Sequence, residues 1–192
     1  MNYLQKNIFF RNIIYRIKSK SAKDRIKKIK PYLNKKDKIL DIGAGSCIVS
    51  EILRREGYDI TPIDVNNLSF AKNIKPIIYN GNKIPFKTDE FNVSLILTVL
   101  HHTPFPEKIL EEAKRISKVI FIIEDIYTNT FNKHMAYFFD NLLNLEFFGC
   151  PHTNKTDKEW KGIFSKTGLN LLDAEYYESP LRIKRAVYYL KK

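Results

Sequence analysis

Short apolar runs alternate with amphipathic stretches along the middle of the chain. The runs have the length and near-uniform hydrophobicity of strands that are buried on both faces of a parallel sheet. They lie at Lys38–Ile42, Asp59–Ile63, Pro76–Tyr79, Val93–Leu97 and Val119–Glu124. The stretches between them have helical spacing, at Cys47–Glu56, Leu68–Asn73 and Pro106–Ser117. Strands that alternate with helices predict a parallel α/β sheet with right-handed crossover connections.

The two ends of the chain follow other patterns. Residues 3–30 carry apolar side chains at three- and four-residue steps, which predicts a helix that ends before Pro31. After residue 125 the pattern predicts a long apolar helix, a shorter helix and then a β-hairpin. The helices are expected at Thr130–Phe148 and Asp157–Lys166, and the strands at Asn170–Tyr176 and Lys184–Leu190.

These patterns, in a chain of 192 residues, predict one domain. We expect an α/β fold with a seven-stranded, mostly parallel sheet, helices on both faces, an antiparallel C-terminal strand and an N-terminal helical arm. The predicted parts are a basic helical arm (1–35), a ligand-binding core (36–125), a helical insertion or lid (126–168) and a C-terminal β-hairpin (169–192).

The net charge of +12 is concentrated in the arm. Residues 1–38 hold 13 Lys and Arg against two acids, whereas residues 39–192 hold 20 against 19. Three interpretations of this cationic and partly apolar helix stay open. It is a solvated helix with an apolar stripe on the core, a helix that lies on an anionic membrane surface, or a helix that binds RNA phosphates.

The composition excludes several classes of protein. Apolar residues make up 44% of the chain, which excludes a disordered protein, and no run reaches the ~18 apolar residues of a membrane-spanning helix. Charged residues interrupt the N-terminus where a signal peptide needs an apolar segment. Two cysteines, Cys47 and Cys150, suit a reducing compartment. We therefore expect a cytoplasmic protein, with peripheral membrane association as the alternative.

The first apolar run leads into a turn with the sequence Asp-Ile-Gly-Ala-Gly at residues 41–45, and a predicted helix follows. Glycines allow unusual backbone angles and the close approach of a ligand, and the N-terminus of a helix offers free N–H groups. A dinucleotide-binding fingerprint needs a further glycine where this chain has Ile48. Walker-type phosphate binding needs a Gly-Lys-Ser/Thr sequence, which is absent.

Four segments, in order, resemble the class I S-adenosylmethionine-dependent methyltransferases of the type 11 group. Asp41–Gly45 resembles the first motif, Gly57–Asp64 the second strand, Tyr79–Phe86 the loop after the third strand, and Leu97–His102 the end of the fourth. The resemblance covers residues 36–125. It implies a Rossmann-like sheet, methyltransferase activity and S-adenosylmethionine as the cofactor.

The resemblance also implies which residues bind the cofactor. They are Asp41, Gly43, Ala44 and Gly45 at its methionine end, Asp64 at the ribose, Asn80 with Gly81 at the adenine, and Thr98 at the methyl-transfer mouth. Val65, next to Asp64, is also expected to bind the cofactor. The chain departs from the family at one of these residues and at one residue close to the glycine turn. Cys47 stands where a third glycine is usual, and Asn80 stands where aspartate is commoner.

His101 and His102 follow the fourth predicted strand and are candidate catalytic residues, because histidine titrates near neutral pH. Packing or capping of the loop is the alternative. Glu124 and Asp125 end the fifth strand and are candidates for substrate binding or for capping, and His152 is a candidate for closing over the pocket or for stabilising a turn. Adjacent histidines rarely share one metal ion, so no metal site is expected.

The methyl acceptor is harder to predict, because displacement at a sulfonium methyl group needs few catalytic residues. No Asn/Asp-Pro-Pro-Tyr/Phe or Pro-Cys sequence follows the fourth strand, which disfavours methylation of a base amino group or of cytosine C5. The apolar segment Phe131–Phe148 is interpreted as a core helix or as a lid over an apolar pocket. We expect a small-molecule or lipid-like acceptor. The alternatives are an RNA (tRNA or rRNA) methyltransferase steered by the basic arm, and a non-catalytic scaffold that binds a membrane or a partner.

Overall fold

The computed structural model describes residues 7–127, 153–179 and 183–192. Four α-helices and seven strands occur in these ranges. They are α1 (Ile8–Ile29), β1 (Lys38–Ile42), α2 (Ile48–Arg55), β2 (Asp59–Asp64), β3 (Ile77–Ile78), β4 (Phe91–Leu97), α3 (Pro106–Ile116), β5 (Ser117–Asp125), α4 (Asp157–Lys166), β6 (Asn170–Glu178) and β7 (Lys184–Lys191). The predicted helix at Thr130–Phe148, together with Cys150 and His152, lies outside the described residues.

The seven strands form one sheet in the order β3-β2-β1-β4-β5-β7-β6. β1 to β5 pair in parallel, and β7 is antiparallel to both β5 and β6. In this register Ile42 of β1 lies opposite Ile63 of β2 and Ile96 of β4, so these strands end at one edge. The predicted α/β fold is confirmed, and every predicted strand is present with its ends shifted by no more than two residues.

Helices cover both faces of the sheet, and each face has its own apolar core. On one face α3 and α4 pack against the strands and bury Leu110 and Trp160 completely. On the other face α1 and α2 pack against the strands and bury Ile29 and Leu53 completely. Strands covered on both faces need the continuous apolar runs seen in the sequence.

The helix predicted at Leu68–Asn73 is absent, so this prediction is wrong. The segment has no regular structure because its backbone groups are bonded elsewhere. The N–H groups of Phe70 and Ala71 donate to the carbonyl oxygen of Ser46 at 3.0 and 3.3 Å. Arg11 of α1 donates to the carbonyl oxygens of the same two residues at 3.3 and 2.8 Å. Tertiary contacts therefore replace the i→i−4 bonds that the apolar spacing favoured.

The predicted arm is α1, and its C-terminal half belongs to the core. Asn7 caps the helix, since its side-chain oxygen accepts from the N–H of Phe9 at 3.0 Å. Ala22 and Ile29 are buried against α2 and the sheet, and the α-helix ends at Ile29, ahead of Pro31 as predicted. No helix in the described part of the chain is long and apolar enough to cross a membrane.

Candidate functional site

The carboxyl-terminal edge of the parallel strands brings the sequence-predicted site residues together. Ligands of open α/β sheets bind at this edge, where the strand order reverses, and the order β2-β1-β4 places the reversal beside β1. Asp41 lies in β1, Asp64 ends β2, Thr98 follows β4, and Glu124 and Asp125 end β5. The five side chains therefore belong to one region of the molecule.

The glycine turn after β1 is fixed over the end of β2. The N–H groups of Gly43 and Ala44 both donate to the carbonyl oxygen of Ile63, at 2.9 and 3.0 Å. Gly43 has φ +70°, and a Cβ there would lie 2.6 Å from a methyl carbon of Val99. Gly45 has φ +49°, and a Cβ there would approach no atom more closely than 4.0 Å. Packing requires the first glycine, whereas the second leaves open space beside the turn.

Cys47 stands where the methyltransferases that the sequence resembles usually have a third glycine. The residue has φ +56°, a conformation that favours glycine. Its side chain is fully buried against Ala71 and Ile74, and these contacts offset the backbone strain. Burial raises the pKa of the thiol to about 12, so Cys47 is not a nucleophile at neutral pH.

Asp64 joins the glycine turn to the loop after β2. Its Oδ2 accepts from the N–H of Gly45 at 2.8 Å, and its Oδ1 accepts from the N–H of Asn66 at 3.1 Å. The residue keeps 7% of its surface exposed. A carboxylate has about four acceptor positions, so about two of them are not used by these bonds.

Val65 and Gly81 lie against each other beyond Asp64. The N–H of Tyr79 donates to the carbonyl oxygen of Asp64 at 3.1 Å, and a Cβ on Gly81 would lie 3.2 Å from a methyl carbon of Val65. The Val65 side chain is 48% exposed. The side-chain oxygen of Asn80 accepts two N–H groups of its own turn, at 3.0 and 3.2 Å, so its acceptor capacity is used locally.

Thr98, the residue after β4, is contacted by a side chain that sequence analysis missed. Arg25 of α1 donates through Nη1 to the carbonyl oxygen of Leu97 and to Oγ1 of Thr98, both at 3.1 Å. The Nε of Arg25 is buried and has no hydrogen-bond partner among the described residues. Thr98 itself has φ +60°, and its N–H donates to the carbonyl oxygen of Ile123 at 2.6 Å. The arm therefore supplies a cation to this edge.

Glu124 closes the turn that follows Thr98. Its Oε1 accepts from the N–H groups of Val99 and Leu100 at 2.9 and 2.7 Å, and its Oε2 lies 2.5 Å from Nδ1 of His101. Glu124 and His101 are fully buried, whereas His102 is partly exposed. Glu124 therefore caps the turn between β4 and α3. Within the described ranges, no three His, Cys, Asp or Glu side chains are arranged to hold a metal ion.

The buried charged groups at the carboxyl edge of the sheet include more carboxylates than cations. The buried carboxylates are those of Asp41, Asp64, Glu124 and Asp125. Two guanidinium groups oppose them. Arg185 of β7 pairs with Asp125 at 2.6 Å, and Arg25 reaches Thr98. The edge is therefore unfavourable for a polyanion.

Burial raises the pKa of Asp41 to about 6, from an ordinary value of 3.8. The residue is 3% exposed. A bond from Oγ of Ser50 at 2.6 Å and the nearby Arg25 guanidinium oppose the shift. Near neutral pH the carboxylate is charged at a cost in stability, and a cationic ligand group beside it would be favoured.

Asp41→Asn is expected to raise the free energy of unfolding by about 2–3 kcal/mol near pH 7.5. The folded wild type binds a proton at Asp41 more tightly than the unfolded chain does. Its stability therefore falls as the pH rises from about 4 to about 6. Urea titrations near pH 4.5 and pH 7.5 measure the effect, and the gap between variant and wild type should shrink at the lower pH. A gap of equal size at both pH values would contradict the shift.

A protein family described as a methyltransferase domain matches residues 13–174. The chain belongs to this family. Its fold is that of the class I S-adenosylmethionine-dependent methyltransferases. The match runs from α1 into β6 and includes the strand-edge residues from Asp41 to Asp125.

Solved structures of other methyltransferases share the fold. An S-adenosylmethionine-dependent methyltransferase from Methanosarcina mazei has a TM-score of 0.65 at 22% identity, over 85% of this chain and 96% of that one. The magnesium protoporphyrin IX methyltransferase of Synechocystis PCC 6803, with bound S-adenosylhomocysteine, has a TM-score of 0.64 at 12% identity. That alignment covers 100% of this chain and 89% of the Synechocystis protein. At these identities the likeness establishes the fold alone.

The methyltransferase also resembles a curated protein in sequence. The uncharacterized protein MJ1123 of Methanocaldococcus jannaschii is 38% identical over 80 residues. These residues are 41% of this chain and 38% of that protein. The match thus spans about two fifths of the length of the curated relative.

Proposed function

We propose that this methyltransferase transfers the methyl group of S-adenosylmethionine to a small or lipid-like acceptor at the mouth beside Thr98. The observation that carries the proposal is the charge of the carboxyl edge, where four buried carboxylates face two guanidinium groups. Such an edge favours a neutral or cationic acceptor and repels a phosphate backbone. The nearly neutral charge of residues 39–192 also supports a small acceptor.

The residues around the glycine turn suit the nucleoside part of the cofactor. The open space beside Gly45 allows a ligand to approach the backbone closely. The unused acceptor positions of Asp64 suit the two ribose hydroxyls. We assign the adenine to the exposed Val65 side chain and Gly81. The side-chain oxygen of Asn80 is bonded within its own turn, so we do not assign it to the adenine amino group.

Opposite charges at the ends of β1 and β4 suit the amino-acid part of the cofactor. The Asp41 carboxylate complements an ammonium group, and Ala44 lies in the turn that follows it. The buried and unpartnered Nε of Arg25 is a donor suited to a carboxylate. Leaving that donor without a partner is costly, which supports a ligand oxygen at this place.

Bound S-adenosylmethionine supplies a methyl group on a sulfonium, whose leaving group is already activated. The chain must then align the acceptor with that methyl group and exclude water. Thr98, held by Arg25, defines the mouth in this proposal. His102, partly exposed in the turn after β4, is the candidate base for an acceptor that loses a proton. His101, buried and bonded to Glu124, is a positioning residue for the turn.

Gly45→Ala is expected to weaken binding of S-adenosylhomocysteine about 10- to 30-fold while costing only about 1 kcal/mol of stability. The new Cβ would lie 4.0 Å from its nearest neighbour, the carbonyl oxygen of Gly43, so the lost affinity would come from a clash with the ligand and not with the protein. Isothermal titration calorimetry measures the affinity, and urea unfolding measures the stability.

Gly57→Ala is the matched control for this substitution. Gly57 also has a left-handed φ, +86°, and a Cβ there would lie 3.8 Å from Nζ of Lys35, in the turn between α2 and β2. The control should lose a similar amount of stability and keep wild-type affinity. Equal losses of affinity in the two variants would assign the effect to backbone strain.

The acceptor class is tested by the transfer of a tritiated methyl group into separated cell fractions. The protein is incubated with labelled S-adenosylmethionine and a small-molecule extract, a lipid extract or total RNA, with Asp64→Ala as the blank. We expect label in the small-molecule or lipid fraction. Label in RNA that disappears as salt is raised would favour the RNA alternative. Binding of S-adenosylhomocysteine without label in any fraction would favour a non-catalytic scaffold.

A further inference from the structure

The side of α1 that faces away from the sheet carries a row of exposed apolar residues. Phe9, Ile13 and Ile17 are spaced four residues apart, which places them on one face of the helix. They are 68%, 41% and 55% exposed. Phe10 lies beside Phe9, with ring centroids 5.7 Å apart, and is 42% exposed. Contiguous apolar surface of this kind marks an interaction site on a soluble protein.

Cations continue this face towards the C-terminus of α1. Arg16, Lys20, Lys23 and Lys27 are all exposed, and none of them forms an ion pair with a described residue. The one acid in α1 is Asp24, and its Oδ2 is buried. The outward face therefore combines apolar and positively charged side chains, and the partly exposed Asp24 is the one acid of the helix.

The opposite side of α1 is fixed to the body of the protein. Ala22 and Ile26 are buried in the core between α1, α2 and the sheet. The hydroxyl of Tyr15 donates to Oε2 of Glu51 at 2.7 Å, and Arg11 holds the loop after β2. The helix therefore presents its outward face in one orientation, with little conformational entropy left to lose on binding.

We propose that the outward face of α1, from Phe9 to Lys27, docks on the surface of an anionic lipid bilayer. Helices that lie in a membrane interface combine apolar side chains, which enter the headgroup boundary, with cations that contact anionic lipids. RNA would also attract the cations. Ile13 and Ile17, however, have no aromatic ring on which a base could stack, and their exposure favours the bilayer. The proposal does not depend on the identity of the methyl acceptor.

Sedimentation with sucrose-loaded vesicles tests the proposal on the full chain. Vesicles of phosphatidylcholine alone are compared with vesicles that contain about one third phosphatidylglycerol, at low and at high salt. We expect binding to the anionic vesicles at low salt and a partition coefficient at least about 10-fold lower on the neutral ones. Because screening weakens the contribution of the lysines, binding should fall as salt is raised.

Two pairs of variants separate the contribution of the lysine charges from that of the apolar side chains. Lys20→Gln/Lys23→Gln/Lys27→Gln should lower the partition coefficient on the order of 100-fold at low salt, at roughly fivefold per lysine. The control variant is Lys87→Gln/Lys118→Gln/Lys166→Gln, which removes the same charge from exposed positions elsewhere. It should change the partition coefficient little. Phe9→Gln/Ile17→Gln should lower the partition coefficient about 10-fold or more. Its control is Phe105→Gln/Leu172→Gln, whose side chains are 58% and 53% exposed.

Three results would overturn the proposal. The first is a wild-type chain that does not sediment with anionic vesicles. The second is binding of a fluorescent single-stranded RNA that depends on Lys20, Lys23 and Lys27, with no vesicle binding that depends on Phe9 and Ile17. The third is a change in oligomeric state or a large loss of thermal stability in Phe9→Gln/Ile17→Gln. That result would mean that another copy, or another part of this chain, covers the face.

Discussion

Asp64→Ala is expected to lower the affinity for S-adenosylhomocysteine at least about 100-fold, the largest effect on cofactor binding that we predict. The substitution removes the carboxylate positions assigned to the ribose hydroxyls, and hydrogen bonds to a charged acceptor contribute about 1.5–3 kcal/mol each. It also releases the N–H groups of Gly45 and Asn66, so the glycine turn keeps only its backbone bonds to Ile63 of β2. Calorimetric titration of both proteins measures the change.

Asp59→Ala is the matched control for Asp64→Ala. Asp59 begins the strand that Asp64 ends, and it is exposed. The control should bind S-adenosylhomocysteine as tightly as the wild type does. Circular dichroism establishes that both variants are folded. A folded Asp64→Ala protein with wild-type affinity would show that the nucleoside binds elsewhere.

Glu124→Gln is expected to lower the free energy of unfolding by about 3 kcal/mol, the largest effect on stability. Glu124 is fully buried, and its two oxygens receive two backbone N–H groups and the ring of His101. An amide in its place has one accepting oxygen and no charge, so the charge-assisted bonds that the buried carboxylate receives are lost and cannot be replaced by water. Because domains are stable by only about 5–15 kcal/mol, urea denaturation will measure this loss clearly.

Glu111→Gln is the control for Glu124→Gln, because Glu111 is exposed on α3. The control should unfold within about 0.5 kcal/mol of the wild type. Similar midpoints for Glu124→Gln and the wild type would mean that the turn after β4 does not depend on this carboxylate.

The sheet could be predicted because its signals are local. Each strand that is buried on both faces appears in the sequence as a continuous apolar run. β4 and β5 show this most clearly. The turn at 41–45 could be predicted for the same reason, since Gly43 and Gly45 both adopt the left-handed conformation that their residue type permits.

The segment 68–73 shows where local signals fail. Its apolar spacing favours a helix, yet Phe70 and Ala71 bond to Ser46 and Arg11, which lie 24 or more residues away along the chain. Local spacing carries no information about such partners. The segment forms hydrogen bonds to distant residues instead of a helix, because these bonds satisfy the same backbone groups that a helix would satisfy.

Arg25 was missed for a related reason. In the sequence it is one of 13 basic residues in the first 38, and its contact with Thr98 spans 73 positions. A signal was present, since Arg25 lies three residues after Ala22 and four before Ile29, on the side of the helix that is buried. A cation on the apolar side of a helix usually has a specific partner, and this pattern could have separated Arg25 from its solvated neighbours.

The position of β7 between β5 and β6 sets an order for folding during synthesis. β6 leaves the ribosome before β7, yet in the finished sheet it pairs with β7 alone. Until residues 184–191 emerge, β6 has no neighbour, and the apolar β5 is an unpaired edge of the kind that aggregates. A nascent chain stalled before β7 would therefore expose a ready surface for chaperones.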